Sequence, residues 1–136
     1  MTAGYSKRSL AEKLGIGPGA TVVALGAPSN YAALIAPLPD GTSLRARLTL
    51  GARFIHQFAR RRADLEAAFP RLAKALADDG TLWISWPKKA SGVATDLTED
   101  ILREIGLPLG LVDVKVCAVD AVWSGLKLVR RRELRR

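Results

Sequence analysis

The residues with the most chemistry to offer lie between positions 86 and 96, where Trp86, Lys88, Lys89, Ser91, Gly92 and Asp96 follow one another closely. Two lysines beside a hydroxyl and a glycine, just ahead of a helix start, suit an anion such as a phosphate or a carboxylate, because backbone N–H groups and the helix dipole add to the ammonium charges. Asp96 and Glu99 have the spacing of a capping box, which predicts that helix start at Asp96. Two solvated loop lysines around a turn glycine account for the same residues, and both readings stand at this level. Trp86 and Trp123 belong to the ends of two strands, where an indole either stacks on a ligand ring or packs into the core and its rim. Asp120 and Ser124 flank the turn before the last strand, and Asp120 or Asp100 offers a carboxylate to a ligand hydroxyl or to Lys127.

Two further residues invite a catalytic reading and lose it to a plainer one. His56, the single histidine, alternates with Phe54 and Phe58, which favours a core imidazole bonded to backbone over a base. Cys117 falls in a valine-rich strand, the setting of an inert buried thiol rather than a nucleophile. No Ser, His and Asp set and no metal-ligand spacing emerges, so the pattern leaves open whether the chain is an enzyme.

The elements that must position these groups follow from periodicity and punctuation. Residues 9–14 predict a short helix capped by Ser6 or Ser9 and stopped by Gly15; residues 20–25 form a β-branched apolar run, a strand buried on both faces. Gly26 breaks that strand, and residues 31–36 predict a helix with Ser29 or Asn30 at its N-cap. A weak strand is expected at 44–50, an alternating one at 53–59, and a helix from 63 to Gly80 on the spacing of Leu65, Phe69, Leu72 and Leu76, with Pro70 kinking or restarting it. A strand at 81–86, a helix over about 97–105 ended by Gly106 and Pro108, and two strands at 112–119 and 122–130 complete the chain. The last two are too close for a crossover helix and must pair as an antiparallel hairpin. The sum is an α/β, Rossmann-like three-layer sandwich: a mostly parallel sheet ending in an antiparallel C-terminal hairpin, as one domain over residues 1–129 with a basic arginine-rich tail at 130–136. In such sheets ligands bind beyond the carboxyl ends of the strands, which predicts that the loops at 26–30, 87–95 and 120–124 converge on one edge.

The 136 residues carry a formal charge of +8, of which the stretch 130–136 supplies +4 and Arg60, Arg61 and Arg62 supply +3. The excess is thus local, and nucleic-acid contact through Arg60 to Arg62 together with Arg130, Arg131, Arg132, Arg135 and Arg136 is a third-ranked expectation behind a solvated tail. The lone cysteine excludes an internal disulfide; with no signal-like apolar N-terminus and no run near the roughly 20 residues that span a bilayer, the chain is expected in the cytoplasm, without a membrane partner.

The segments Trp83-Ile84-Ser85-Trp86-Pro87-Lys88-Lys89, Thr95-Asp96-Leu97-Thr98-Glu99-Asp100, 110–120 and Trp123-Ser124-Gly125-Leu126-Lys127, with Gly4-Tyr5-Ser6 and Lys13-Leu14-Gly15, resemble a bacterial family of short proteins catalogued as the domain of unknown function 3052 family. That resemblance implies no activity. The lead-in Leu14-Gly15-Ile16-Gly17-Pro18-Gly19 before Val22-Val23-Ala24-Leu25-Gly26 is distantly similar to class I methyltransferases, which implies S-adenosylmethionine as cofactor. A site of that kind draws on several glycines after the first strand and an acid after the second; here Gly26 stands without the later glycines, and 44–50 contains no acid. The leading expectation is therefore a non-enzymatic or cofactor-divergent module holding an anionic small molecule, with candidate ligand-binding residues Gly26, Trp86, Lys88, Lys89, Ser91, Gly92, Asp96, Asp120, Trp123 and Ser124. The alternative is a small S-adenosylmethionine-dependent transferase with Asp120 or His56 as its base.

Overall fold

The computed structural model describes residues 8–135. Ser9 opens α1 (Leu10–Leu14) through a capping box, its hydroxyl accepting the Glu12 N–H while the Glu12 carboxylate accepts the Ser9 N–H, and Gly15 closes it at φ 84°. Ser6, the other predicted cap, and Gly4-Tyr5 lie outside the described residues, as does Arg136. The apolar run after the Gly17-Pro18-Gly19 turn becomes β1 (Thr21–Leu25), whose Val22, Val23 and Ala24 are all buried. Of the two residues expected at the N-cap of α2 (Tyr31–Ile35), Asn30 holds it, without a side-chain bond.

The strand expected at 44–50 shrinks to β2 (Ser43–Arg45), which pairs with β1 only as far as Val23. Beyond Arg45 the chain leaves the sheet, and Leu50 is 77% exposed. β3 (Ala52–Phe58) then returns on the other side of β1.

α3 (Arg62–Ala75) runs through Pro70 as one helix and passes without a loop into β4 (Leu76–Pro87), so the helix stops five residues before Gly80 and the strand begins five before Thr81. Two partners remove the need for another helical turn: the Gly51 N–H donates to Ala75 O at 2.8 Å, and the Arg130 guanidinium donates to Ala73 O and Leu76 O at 2.9 and 2.6 Å. Leu76 pairs with Ala52 and Thr81 with Phe54, leaving residues 77–80 bulged. Glycine eases this bulge at Gly80, since a Cβ there would stand 3.1 Å from the carbonyl oxygens of both Ala52 and Ala77 and 2.7 Å from Leu76 Cδ1, which would have to shift.

After a 3-10 turn at Lys89–Ser91, α4 (Glu99–Gly106) starts from Thr98, whose hydroxyl accepts the Ile101 N–H. The capping box predicted at Asp96 is therefore corrected: the Asp96 carboxylate instead accepts the Arg62 N–H at 2.7 Å and caps α3. β5 (Leu111–Ala118) and β6 (Trp123–Arg130) form the hairpin, with a bulge in β5 between Asp113 and Lys115. Arg130 is the last residue of β6, and residues 131–135 continue against the domain through the Arg131 N–H to Gly110 O and the Arg135 guanidinium to Arg130 O.

The sheet has six strands in the order β2-β1-β3-β4-β6-β5; the first four are parallel, and β6 runs against both of its neighbours. Helices α3 and α4 cover one face, where Leu65, Phe69, Leu72 and Leu102 pack on Ile55, Leu82, Ile84 and Trp86. Helices α1 and α2 cover the other, packing Leu14, Tyr31 and Ile35 on Val22, Phe54, Phe58, Trp83 and Trp123. This is the expected Rossmann-like three-layer sandwich. Among the described residues, no helix is long and apolar enough to cross a membrane.

Candidate functional site

The chain leaves β1 toward β2 on one side and returns to β3 on the other, so the strand order reverses between β1 and β3. Loops leaving the two strands at such a switch point diverge to opposite faces and open a crevice at the carboxyl edge. A cleft of about 380 Å³ lies there, lined among others by Gly26, Phe58, Arg60, Arg61, Asp64 and Trp123.

Each lining residue has a local reason for its place. Gly26 turns at φ 65°, and a Cβ on it would come within 3.1 Å of Phe58 O, so the turn after β1 must be side-chain-free. The Gln57 amide spans the gap between strands, donating to Leu25 O and Phe58 O at 3.3 and 2.9 Å. Trp123 meets Phe58 edge-on at 5.0 Å, and the Arg60 guanidinium lies 6.0 Å above the Trp123 ring. Asp64 sits in the first turn of α3, and among the described residues its carboxylate has no hydrogen-bond or ion-pair partner.

Of the residues singled out from sequence, Gly26 and Trp123 line this cleft, as do Arg60 and Arg61, which were named for nucleic-acid contact and not for a ligand. Lys88, Lys89, Ser91 and Gly92 share the edge, since the Lys88 N–H donates to Val122 O, but they build their own turn: the Ser91 hydroxyl donates to Lys88 O and accepts the Val93 N–H, and Gly92 closes it at φ 77°. With α4 starting at Thr98 and carrying Glu99 and Asp100 in its first turn, the lysines lose the helix terminus that supported an anion beside them. Trp86 is buried in the core under α3 and α4. Asp120 builds the hairpin turn, its Oδ1 accepting the Val122 and Trp123 N–H groups at 2.8 Å each, and Ser124 follows in β6 opposite Trp86. Asp100 bonds Arg103 at 2.9 Å, so neither carboxylate pairs with Lys127. Gln57, Phe58 and Asp64 were not foreseen; for Gln57 and Phe58 the signal was the strand ending at Phe58, whose carboxyl-end loop belongs to the same edge as the three that were named, whereas Asp64 lies inside α3 and gave none.

His56 is fully buried, but its partners are side chains and not the backbone: Tyr31 Oη lies 2.8 Å from Nδ1 and Ser85 Oγ 2.7 Å from Nε2. Its ring stacks on Phe58 at 4.3 Å, and burial pushes its pKa down to about 3, which keeps it neutral and out of reach of the cleft. Burial likewise raises the Tyr31 hydroxyl and the half-buried Cys117 thiol above their ordinary values. Neither His56 nor Asp120 is among the residues that line the cleft.

A larger open groove, about 650 Å³, lies at the opposite edge among Gly17, Thr21, Thr49, Arg53, Asp79 and others, where Arg53 and Asp79 pair with each other at 3.7 Å. It has no switch point to shape it.

Solved structures with the same arrangement include an S-adenosylmethionine-dependent methyltransferase from Aquifex aeolicus (TM-score 0.63, 10% identity, 88% of this chain and 86% of that one). A TehB-like S-adenosylmethionine-dependent methyltransferase from Corynebacterium glutamicum is similar over 90% of this chain and 85% of its own (TM-score 0.60, 13% identity). The chain has a methyltransferase-like fold. The O-methyltransferase NcsB1 from neocarzinostatin biosynthesis, solved in complex with S-adenosylmethionine and a naphthoic acid, shares that fold over 81% of this chain (TM-score 0.63, 14% identity). The chain spans about half the length of NcsB1 and of the mitomycin 7-O-methyltransferase, 48% and 49% respectively. No protein-family model and no curated protein sequence matches it.

Proposed function

We propose that this methyltransferase-like domain binds S-adenosylmethionine in the β1/β3 cleft and serves as a small transferase, in preference to an anion module built on Lys88 and Lys89. The observation that carries the reading is the cleft's position, at the switch point of a sheet whose solved neighbours include S-adenosylmethionine-dependent methyltransferases.

The residues present suit the group in three respects. The volume falls within the roughly 300–1,000 Å³ of small-molecule sites. The Gly26 turn leaves the backbone bare where a ligand approaches. Asp64 supplies a carboxylate without a partner among the described residues, on the α3 side of the cleft, where β2 with its Arg45 offers none. Asp64 would hold a ligand hydroxyl or ammonium, while Phe58 and Trp123 form a wall that excludes water. When bound there, S-adenosylmethionine would supply an electrophilic methyl group.

Thermal unfolding with millimolar S-adenosylmethionine and S-adenosylhomocysteine tests the reading, because a ligand of the native state raises the apparent midpoint. Both should raise it, and Asp64→Asn should weaken the affinity about tenfold, the effect of losing one charged hydrogen bond. No shift with either compound would sink the proposal.

A further inference from the structure

Resting on that reading, we infer that the outer rim of the same cleft takes a second molecule that is flat and anionic, a carboxylate or phosphate held by Arg60 and Arg61 against the Trp123 indole. Three consecutive arginines leave β3, and their surroundings separate them. Arg62 is spent within the fold: its guanidinium meets Glu66 at 2.8 Å and Glu104 at 3.2 Å. Arg60 and Arg61 are exposed at the cleft and have no carboxylate partner among the described residues.

Their backbone, in contrast, is fixed from three sides. The Ala59 N–H donates to Ser85 O at 2.9 Å, the Thr95 hydroxyl to Arg60 O at 2.6 Å, and the Arg62 N–H to Asp96 at 2.7 Å. A strand exit pinned in this way presents two cations at a set place on the rim, so a ligand has to order their side chains but not the backbone that carries them. The Arg60 guanidinium lies 6.0 Å from the centre of the Trp123 ring, and with no carboxylate partner among the described residues its N–H groups remain for the paired bonds that carboxylates and phosphates accept. Two guanidinium groups against the single carboxylate of Asp64 leave this rim positive, and the Phe58–Trp123 wall suits a planar ring.

The experiment measures affinity for benzoate, phenyl phosphate, the neutral benzamide, a short single-stranded oligonucleotide and S-adenosylhomocysteine, in the parent chain and in the Arg60→Ala, Arg61→Ala double variant. Both positions are exposed, and far-UV circular dichroism verifies that the variant folds. The expected result is that benzoate or phenyl phosphate binds and benzamide does not, that the variant loses at least about tenfold in anion affinity, and that S-adenosylhomocysteine binding is unchanged. Preference between the two anions says which of them the arginines serve. The inference is overturned if neither anion binds, if their binding survives in the variant, or if the variant loses S-adenosylhomocysteine, which would assign the arginines to the cofactor. Tighter, arginine-dependent binding of the oligonucleotide would also overturn it, in favour of a polynucleotide. Failure of S-adenosylhomocysteine to bind the parent chain tells against the cofactor reading alone and leaves the anion result to be scored by itself.

Discussion

His56 sits between Tyr31 and Ser85 with both ring nitrogens at hydrogen-bond distance, so one hydroxyl donates to the neutral ring and the other accepts from it. Burial holds its folded-state pKa near 3, against about 6.5 in the unfolded chain. The unfolded chain therefore binds the extra proton first, and the stability this group contributes is complete above pH 6.5 and declines by about 1.4 kcal/mol per unit below it until about pH 3. Urea unfolding at pH 7 and pH 5 should show the parent losing about 2 kcal/mol more than His56→Gln, which keeps a polar side chain and does not titrate. An equal loss in both would mean that the imidazole is not held neutral. From the sequence, alternation with Phe54 and Phe58 was enough to place this histidine in the core. Its partners were not legible, because Tyr31 and Ser85 lie 25 and 29 residues away and only the sheet brings them together. Trp123 and Gly26 were legible as strand-end residues, whereas Asp64, inside a helix, gave no local sign of facing a cleft.

Among the elements, the junction of α3 and β4 shows most plainly why boundaries escape sequence reading. Leu76 continues the stripe of Leu65, Phe69 and Leu72 and also fits a buried strand start, so periodicity alone carries the helix too far. What stops it is Arg130, some 54 residues downstream, which takes the carbonyls of Ala73 and Leu76. Its side chain is only 16% exposed, so these are charge-assisted bonds in a shielded setting. Arg130→Met, which keeps most of the apolar stem, should lower unfolding stability by about 2–3 kcal/mol, read from the urea midpoint at constant slope. A change within about 0.5 kcal/mol, the level of an ordinary surface substitution, would show that water satisfies those carbonyls equally well. Asp96 gives a parallel lesson: its spacing to Glu99 reads as a cap for α4, yet it caps α3, because Thr98 stands closer to the true helix start and can do the local task.

For the molecule as a whole, the alternation of strands and helices and the short final connection sufficed to give the parallel sheet and its single reversed strand. Strand order and the β1/β3 switch point were not legible, because they are set by pairing between segments distant in the chain. The sheet is unevenly secured: β3, β4 and β6 are buried between two helical layers, whereas β2 has three residues and sits at the rim. Native-state hydrogen exchange should find the slowest amides in β3, β4 and β6 and the fastest strand amides in β2, with at least a tenfold difference in protection. Comparable protection in β2 would mean that the sheet opens only by global unfolding. The net charge of +8 also looks different once folded. Arg62 and Arg130 are engaged inside the domain, and Arg60 and Arg61 stand free of carboxylate partners at the cleft, so net charge was a poor guide and position a good one.

The bulge in β5 has an effect beyond the hairpin. An outer strand offers a row of unpaired amides and carbonyls on which another chain can polymerise, and the exposed Val114 and Val116 would make such a template sticky. The irregularity between Asp113 and Lys115 interrupts that row, and Lys115 sets a charge beside the gap. At the far rim β2 is too brief to seed a neighbour. Both margins of the sheet are thus poor starting points for edge-to-edge pairing, even with valines exposed on the outer strand.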